Sequence, residues 1–252
     1  MVPVPRPGGA VMRFLGDVLA WFTTAGNWRG NGGIVHRLVE HLGMSASATL
    51  TALLVALPIG LLLGHTGRGG LVAVNLSNVG RAIPSFALLV FGAQIFGVGA
   101  VPAYLALVAL AIPPVVTNAY TGVREVDRDV VEGARGMGMG EAQILFRVEL
   151  PVAVPLVMAG VRTAGVQVVA TATLAAVVGW GGLGRFVVDG LAQGDRVKLF
   201  AGALLVAVVS MLTEAALGWL QRALTPAGLR LPARSERRVS LLPGAAAAPE
   251  AG

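Results

Sequence analysis

The sequence predicts an all-α integral membrane protein of about five transmembrane helices. Hydrophobic residues make up 55% of the chain and charged residues 13%, and the mean hydropathy is +0.76. A soluble domain carries about twice that share of charge, roughly 25%. Uncharged runs of spanning length recur: Leu42–Gly64 and Ala82–Val123 contain no Asp, Glu, Lys or Arg. The 252 residues suit a single helical bundle. There is no cysteine, which excludes disulfides and thiolate metal sites. The net charge of +6 does not indicate a nucleic-acid partner. The basic residues flank apolar runs, as the positive-inside rule requires of a protein held in lipid.

The N-terminal segment, 1–44, opens with MVPVPRPGGA, which reads as disordered. Val11–His41 reads as an amphipathic surface helix in preference to a sixth span. Val11–Ala25 is interrupted by Arg13 and Asp17, so it lacks the clean apolar core of a cleavable signal. The transmembrane domain covers 45–222. Its first span is 45–63 and its second 71–96. The second ends where Gly97-Val98-Gly99-Ala100-Val101-Pro102 breaks the apolar run as a tight turn. The third span is 102–120. A polar loop follows over 124–151. The fourth span, 155–178, has Arg162 near its start, and the fifth, 199–220, has Glu214 near its end. The tail, 223–252, is rich in Pro, Arg and Ala and reads as disordered.

Basic residues set the orientation. His65 and Arg68 follow span one, and Arg124, Arg128, Arg135 and Arg147 lie in the central loop. Arg222, Arg230, Arg234, Arg237 and Arg238 follow span five. With five spans these regions share one side, the cytoplasm, and the N-terminus faces outward. Arg29 and Arg37 count against that assignment. Trp180 and Trp219 fall near span ends, where aromatic anchors belong.

Within the loop, Glu132–Pro151 reads EGARGMGMGEAQILFRVELP. Asp127 and Asp129 favour a helix start, Gly136, Gly138 and Gly140 end or bend that helix, and Leu150-Pro151 returns the chain to the membrane. The segment predicts a short helix, a turn and a second helix, with glycines that let another surface approach the backbone.

These residues resemble the EAA loop of binding-protein-dependent ABC importer permeases. The family pattern is Glu-Ala-Ala, three residues, Gly, nine residues, Ile, one residue, Leu-Pro. Here Glu132-Gly133-Ala134, three residues, Gly138, nine residues, Val148, one residue and Leu150-Pro151 stand in the same register. Gly133 and Val148 are the departures. The resemblance implies a type I ABC importer permease fold with a cytoplasmic coupling helix. It places the ATPase-coupling surface on Glu132, Gly133, Ala134, Arg135, Gly136, Met137, Gly138, Met139, Gly140, Leu150 and Pro151. No GxxxxGK[ST] phosphate loop occurs in the chain. The resemblance therefore implies that ATP-Mg is used by a partner, a cytoplasmic ATPase dimer, and that this chain binds no cofactor itself.

Further stretches resemble the quaternary-amine branch of that family. They are His41-Leu42, Leu57-Pro58-Ile59-Gly60, Ala82–Leu88, Ile112–Gly122, Gly136–Gly140, Val148-Glu149-Leu150-Pro151, Ala159–Ala164, Gly179–Gly184 and Asp189-Gly190-Leu191. They imply import of glycine betaine, carnitine, choline or a similar osmoprotectant across a bacterial plasma membrane. The implied partners are an external binding protein and a second permease copy or paralogue. A permease for another solute such as methionine, or a secondary transporter acting alone, are the alternatives. The uncharged run Ala82–Val123 argues against the last, which needs intramembrane acids for ion coupling.

Pathway or gate candidates are Arg81, Ile83, Pro84, Ser85 and Asn118. Arg81 lies ten residues into the expected second span, and an intramembrane charge faces a cavity or a partner; an interfacial anchor is the competing reading. Pro58 and Pro84 read equally as kinks or as gate elements. Asn118 and Gln94 are expected to bond across helices. Gly179–Gly184 reads as a re-entrant element touching the binding protein. Met137 and Met139 offer adaptable contact. Asp189, Asp195 and Arg196 read as a solvated outer face or as ion-pair partners for that protein. His36, His41 and His65 show no metal spacing with acids, and no catalytic motif is present. With aromatics at 6%, no cage for a quaternary ammonium is evident, so selection is expected mainly in the binding protein.

Overall fold

The computed structural model describes residues 7–70, 75, 78, 80 and 82–226. Arg81, the start of the expected disordered N-terminus and most of the expected tail fall outside the described residues. Among the described residues all regular structure is helical.

Helix α1 (Pro7–Thr23) already includes Pro7–Ala10, which the composition assigned to a disordered start. A short turn, Ala25–Trp28, separates α1 from α2 (Ile34–Thr66). Val11–His41 is therefore two elements, not one surface helix. Phe14 of α1 packs edge-on against Phe200 at 5.3 Å, and Trp21 against Phe186 at 5.5 Å, so α1 is fastened to the bundle. The helix that carries the expected first span begins well before residue 45. Gly33, extended at φ −78° and ψ 163°, starts the helix, and nothing between Ile34 and Ser45 interrupts it. Its 33 residues make about 50 Å of helix at 1.5 Å per residue. The hydrocarbon core is roughly 30 Å thick, so α2 must extend beyond it.

Helix α3 (Ser85–Phe96) follows Pro84, whose ψ of 121° is extended. The turn expected at Gly97–Pro102 is present: Gly97 and Gly99 have φ of +80° and +128°, and α4 (Ala100–Arg124) follows at once. Then come α5 (Arg128–Gly136), α6 (Glu141–Ile144), a π-turn at Leu145–Glu149 and α7 (Leu150–Thr171). A 3-10 stretch, Ala172–Val178, leads through a glycine turn to α8 (Gly184–Gln193) and α9 (Arg196–Leu224). Among the described residues, 4 helical stretches are long and apolar enough to cross a membrane: Ile34–Thr66, Ala100–Arg124, Glu141–Val178 and Arg196–Leu224. α3 is a shorter apolar helix that coincides with the end of the expected 71–96 span.

In lipid, helices associate by close packing rather than by escape from water, and small residues let backbones approach. α2 carries Ala48, Ala52, Ala56, Gly60 and Gly64, each four residues from the last and all buried. The Ala part of this ladder packs against Leu107, Ala111, Val115 and Val116 of α4. A Cβ at Gly60 would lie 2.7 Å from the Ala119 Cβ, and one at Gly64 would lie 2.7 Å from the Val123 Cβ. Neither neighbour can retreat along its own helix. Gly60→Leu is expected to part α2 from α4 and to destabilise the bundle by about 1–3 kcal/mol, the usual range for overpacking. The melting temperature of the purified protein in detergent checks this; an unchanged value would mean that α2 and α4 are not held by this ladder.

Candidate coupling surface and transport path

The polar loop folds as the sequence leads one to expect. Asp127 caps α5, its side chain accepting a hydrogen bond from the Asp129 backbone N–H at 2.9 Å. α5 ends at Gly136. Gly138 then adopts φ +85°, the left-handed region that side chains with a Cβ disfavour. Its N–H donates to the Arg135 carbonyl at 3.0 Å, and the Met139 N–H donates to the Ala134 carbonyl at 3.2 Å, so the turn occupies carbonyls left open at the helix end. Val126, Val131, Ala134 and Ile144 make a small buried core, with Met139 and Val148 against it. The loop is thus a folded unit with its own apolar filling.

Its other face is bare. Met137 is 80% exposed and Phe146 60%. A Cβ built at Gly133, Gly136, Gly138 or Gly140 meets nothing within 4 Å. The two methionines therefore divide: Met137 projects outward and Met139 fills the core. The open glycine face leaves room for another backbone to approach, and the constraint at Gly138 is its φ rather than a collision.

A chain of ionisable groups ties this unit to the end of α2. The Arg135 guanidinium donates to both oxygens of Glu141, at 2.8 and 2.9 Å. That hydrogen bonding, with the Glu141 charge, raises the Arg135 pKa above its ordinary value. Glu141 lies 3.2 Å from His65 Nε2, and His65 Nδ1 lies 2.6 Å from Glu149 Oε2. Glu149 is buried, and its Oε1 has no partner among the described residues. From the sequence His65 reads as a basic flank without metal spacing, and Glu149 falls in a family-like run but gains no role of its own. The usable signal was a carboxylate directly before Leu150-Pro151, where an apolar residue would pack without desolvation. The chain does not stop at Leu150-Pro151. The π-turn joins α6 to α7, with the Leu150 N–H reaching back to the Leu145 carbonyl. Pro151 has no N–H to continue regular α-helical bonding, and π-turns of this kind recur at functional positions.

The pathway candidates are less concentrated. Ile83 and Pro84 are exposed in the bend before α3, and Ser85 begins it. Among the described residues Asn118 makes no bond across helices of the kind expected. Its Nδ2 donates to the Pro114 carbonyl of its own helix at 2.8 Å. It shares a cavity of about 160 Å³ with Gly80, Pro113, Pro114, Thr163 and Gln167. Nearby, Arg162 of α7 is ion-paired with Glu214 of α9, and Gln221 donates to the Pro155 carbonyl at 3.0 Å. Asp189 and Asp195 also have partners in this chain. Asp189 pairs with Arg185 at 2.7 Å, and Asp195 caps α9 by accepting from the Lys198 N–H at 3.0 Å. The Gly179–Gly184 turn is pinned to α2, since the Gly182 N–H donates to Glu40 Oε2 at 2.9 Å.

Long apolar helices around an exposed, internally packed polar loop fit an integral membrane protein. Residues 56–226 match the family described as binding-protein-dependent transport system inner membrane component. The chain is 36% identical over 201 residues to the choline transport system permease protein OpuBB of Bacillus subtilis, covering 79% of this chain and 93% of that one. It is 38% identical over 191 residues to the carnitine transport permease protein OpuCB of Listeria monocytogenes, covering 76% and 88%. Its fold is similar to that of the inward-facing MetNI methionine ABC transporter, with TM-score 0.66 and 26% identity, covering 77% of this chain and 97% of that one. The chain belongs to the binding-protein-dependent transport system inner membrane component family. It is a type I ABC importer permease, a transport subunit of the inner membrane whose ATPase is a separate subunit and whose family works with a substrate-binding protein.

Proposed function

We propose that this permease carries glycine betaine, carnitine, choline or a related quaternary amine. The observation that carries this reading is the identity of 36% and 38% to a choline and a carnitine permease over about three quarters of the chain. Two copies, or one copy and a paralogue, form the pathway at their interface. A cytoplasmic ATPase dimer binds ATP-Mg, and its closure is received by Glu132–Gly140 and passed through Leu150-Pro151 to the spans. The open face around Met137 and the four glycines supports that assignment. The loop and the C-terminus lie in the cytoplasm and the N-terminus outside, as the arginines of the loop and tail favour. The ATPase drives a population shift between inward- and outward-open states, and it does so only by binding them unequally.

Selectivity resides mainly in the external binding protein. Uptake into proteoliposomes that hold the permease, its ATPase and its binding protein tests the reading. Radiolabelled choline, glycine betaine and carnitine are offered beside methionine. ATP-dependent accumulation of at least one quaternary amine is expected; accumulation of methionine alone would overturn it.

A further inference from the structure

The faces of α7 and α4 carry polar side chains inside stretches long and apolar enough to cross a membrane. Thr163 and Gln167 lie one helical turn apart on α7, both exposed, between buried Val161, Ala164, Gly165 and Val168 on the opposite side. They sit inside a stretch of mean hydropathy 1.9 that is long enough to cross the membrane. Asn118 of α4 joins them around the 160 Å³ cavity. The same α7 face continues into a second hollow lined by Arg162, Thr163, Gln167, Glu214 and Gln221. Arg162 and Glu214 keep 40% and 42% of their side chains exposed although both stand within spans.

Hydrocarbon does not solvate an amide, a hydroxyl or an ion pair, so such groups face a water-filled cavity or a protein partner. Here six such side chains from three helices line two hollows that share Thr163 and Gln167. The surface differs from a ligand-trapping site in its charge. The Glu214 carboxylate, which would hold a quaternary ammonium, is already neutralised by Arg162. Beside that half-exposed but mutually compensated pair stand the neutral dipoles of Asn118, Thr163 and Gln167. Neutral dipoles can hydrate a solute without holding it, as conduction requires.

We propose that Asn118, Thr163 and Gln167 line the aqueous route of the solute through the membrane, with the Arg162–Glu214 pair screening that route from a fixed negative charge. This rests on the transport reading above and adds the residues and the chemistry of the lining. The absence of cysteine from the chain makes it directly testable. Thr163→Cys, Gln167→Cys and Asn118→Cys are introduced singly into the complete transporter in proteoliposomes. The probe is a methanethiosulfonate with a trimethylammonium head, a permanently charged reagent shaped like the proposed cargo. The cysteine thiolate displaces methanesulfinate and forms a mixed disulfide, read as added mass on this chain. Controls are Leu54→Cys and Leu212→Cys, at apolar positions 77% and 63% exposed.

Modification at Thr163 and Gln167 about tenfold or more faster than at the controls is expected, because water access and thiolate fraction set the rate. Rates equal to the controls at all three positions would overturn the proposal. So would a Gln167→Cys that labels no faster than the controls while copper-phenanthroline, as the two-electron oxidant, joins two copies through a disulfide, since that marks a subunit contact closed to the reagent. Asn118→Cys decides the outcome if either α7 variant fails to assemble. Fast labelling without any quaternary-amine uptake would support the aqueous lining and remove only the cargo assignment.

Discussion

Gly138→Leu is expected to abolish coupling between ATP hydrolysis and uptake while leaving the spans folded. The residue sits at φ +85°, and a residue with a Cβ pays roughly 1–2 kcal/mol to enter that region. The strain falls at the turn between α5 and α6, not in the bundle. No atom lies within 4 Å of the new Cβ, so the leucine side chain projects from the face proposed to receive the ATPase. It is thus both a local distortion and an obstruction. Gly133→Ala is the matched control. Gly133 lies inside α5 with equally open space around it, and its φ is not positive. Alanine there should strengthen the helix by up to about 1 kcal/mol and restore the alanine of the family pattern. Glu132→Lys inverts a charge on the same face, and a charge-assisted bond to the partner would be lost. Co-purification of the ATPase and ATP-dependent uptake are the measurements. Gly138→Leu and Glu132→Lys should fail in at least one, and Gly133→Ala in neither. Normal assembly and transport in both of the first two would show that the loop is not the coupling element.

The loop was legible because its signals are local. A capping Asp127, glycines at the helix end and Leu150-Pro151 each act on backbone a few residues away, and sequence order alone carries that information. The extent of the spans was less legible. The uncharged run from Leu42 suggested a first span of 45–63, yet α2 begins at Ile34 and includes His36 and Arg37, each paired with Glu40 on the same stretch of helix. Helix ends in a membrane protein need not coincide with the edge of the apolar run, since helix can continue into the polar zone. The ladder of Ala48, Ala52, Ala56, Gly60 and Gly64 was present in the letters, and its four-residue period names the face that meets α4. Contacts between distant segments were the part that local reading could not supply. The link from His65 to Glu149 joins residues 84 positions apart, and Asp189 and Asp195 found partners within this chain where a docking role had been considered.

Glu149→Ala is expected to be the most damaging single change at the base of the bundle. Its carboxylate is 1% exposed and stands 2.6 Å from His65 Nδ1. Removing Glu149 takes away the buried side of that contact and leaves His65 with only the exposed Glu141 at 3.2 Å, and losing a buried hydrogen-bond partner typically costs about 1–3 kcal/mol. The damage is also mechanical. Glu149 ends the π-turn that carries α6 into α7, whereas His65 belongs to the last turn of α2. The contact is thus a direct strut between the loop and the first span, and the Arg135–Glu141 pair braces it from the loop side. Glu149→Gln keeps the shape and one hydrogen bond and should retain much of the melting temperature. The double change His65→Leu with Glu149→Leu removes both polar groups together. It should recover stability relative to Glu149→Ala, since replacing a buried pair by apolar residues is often neutral. It should not recover coupling, because the directional contact is gone. The readouts are the melting temperature of the purified permease and the ratio of ATP hydrolysed to solute accumulated. A Glu149→Ala protein with unchanged melting and an unchanged ratio would show that the loop moves α2 by some other contact.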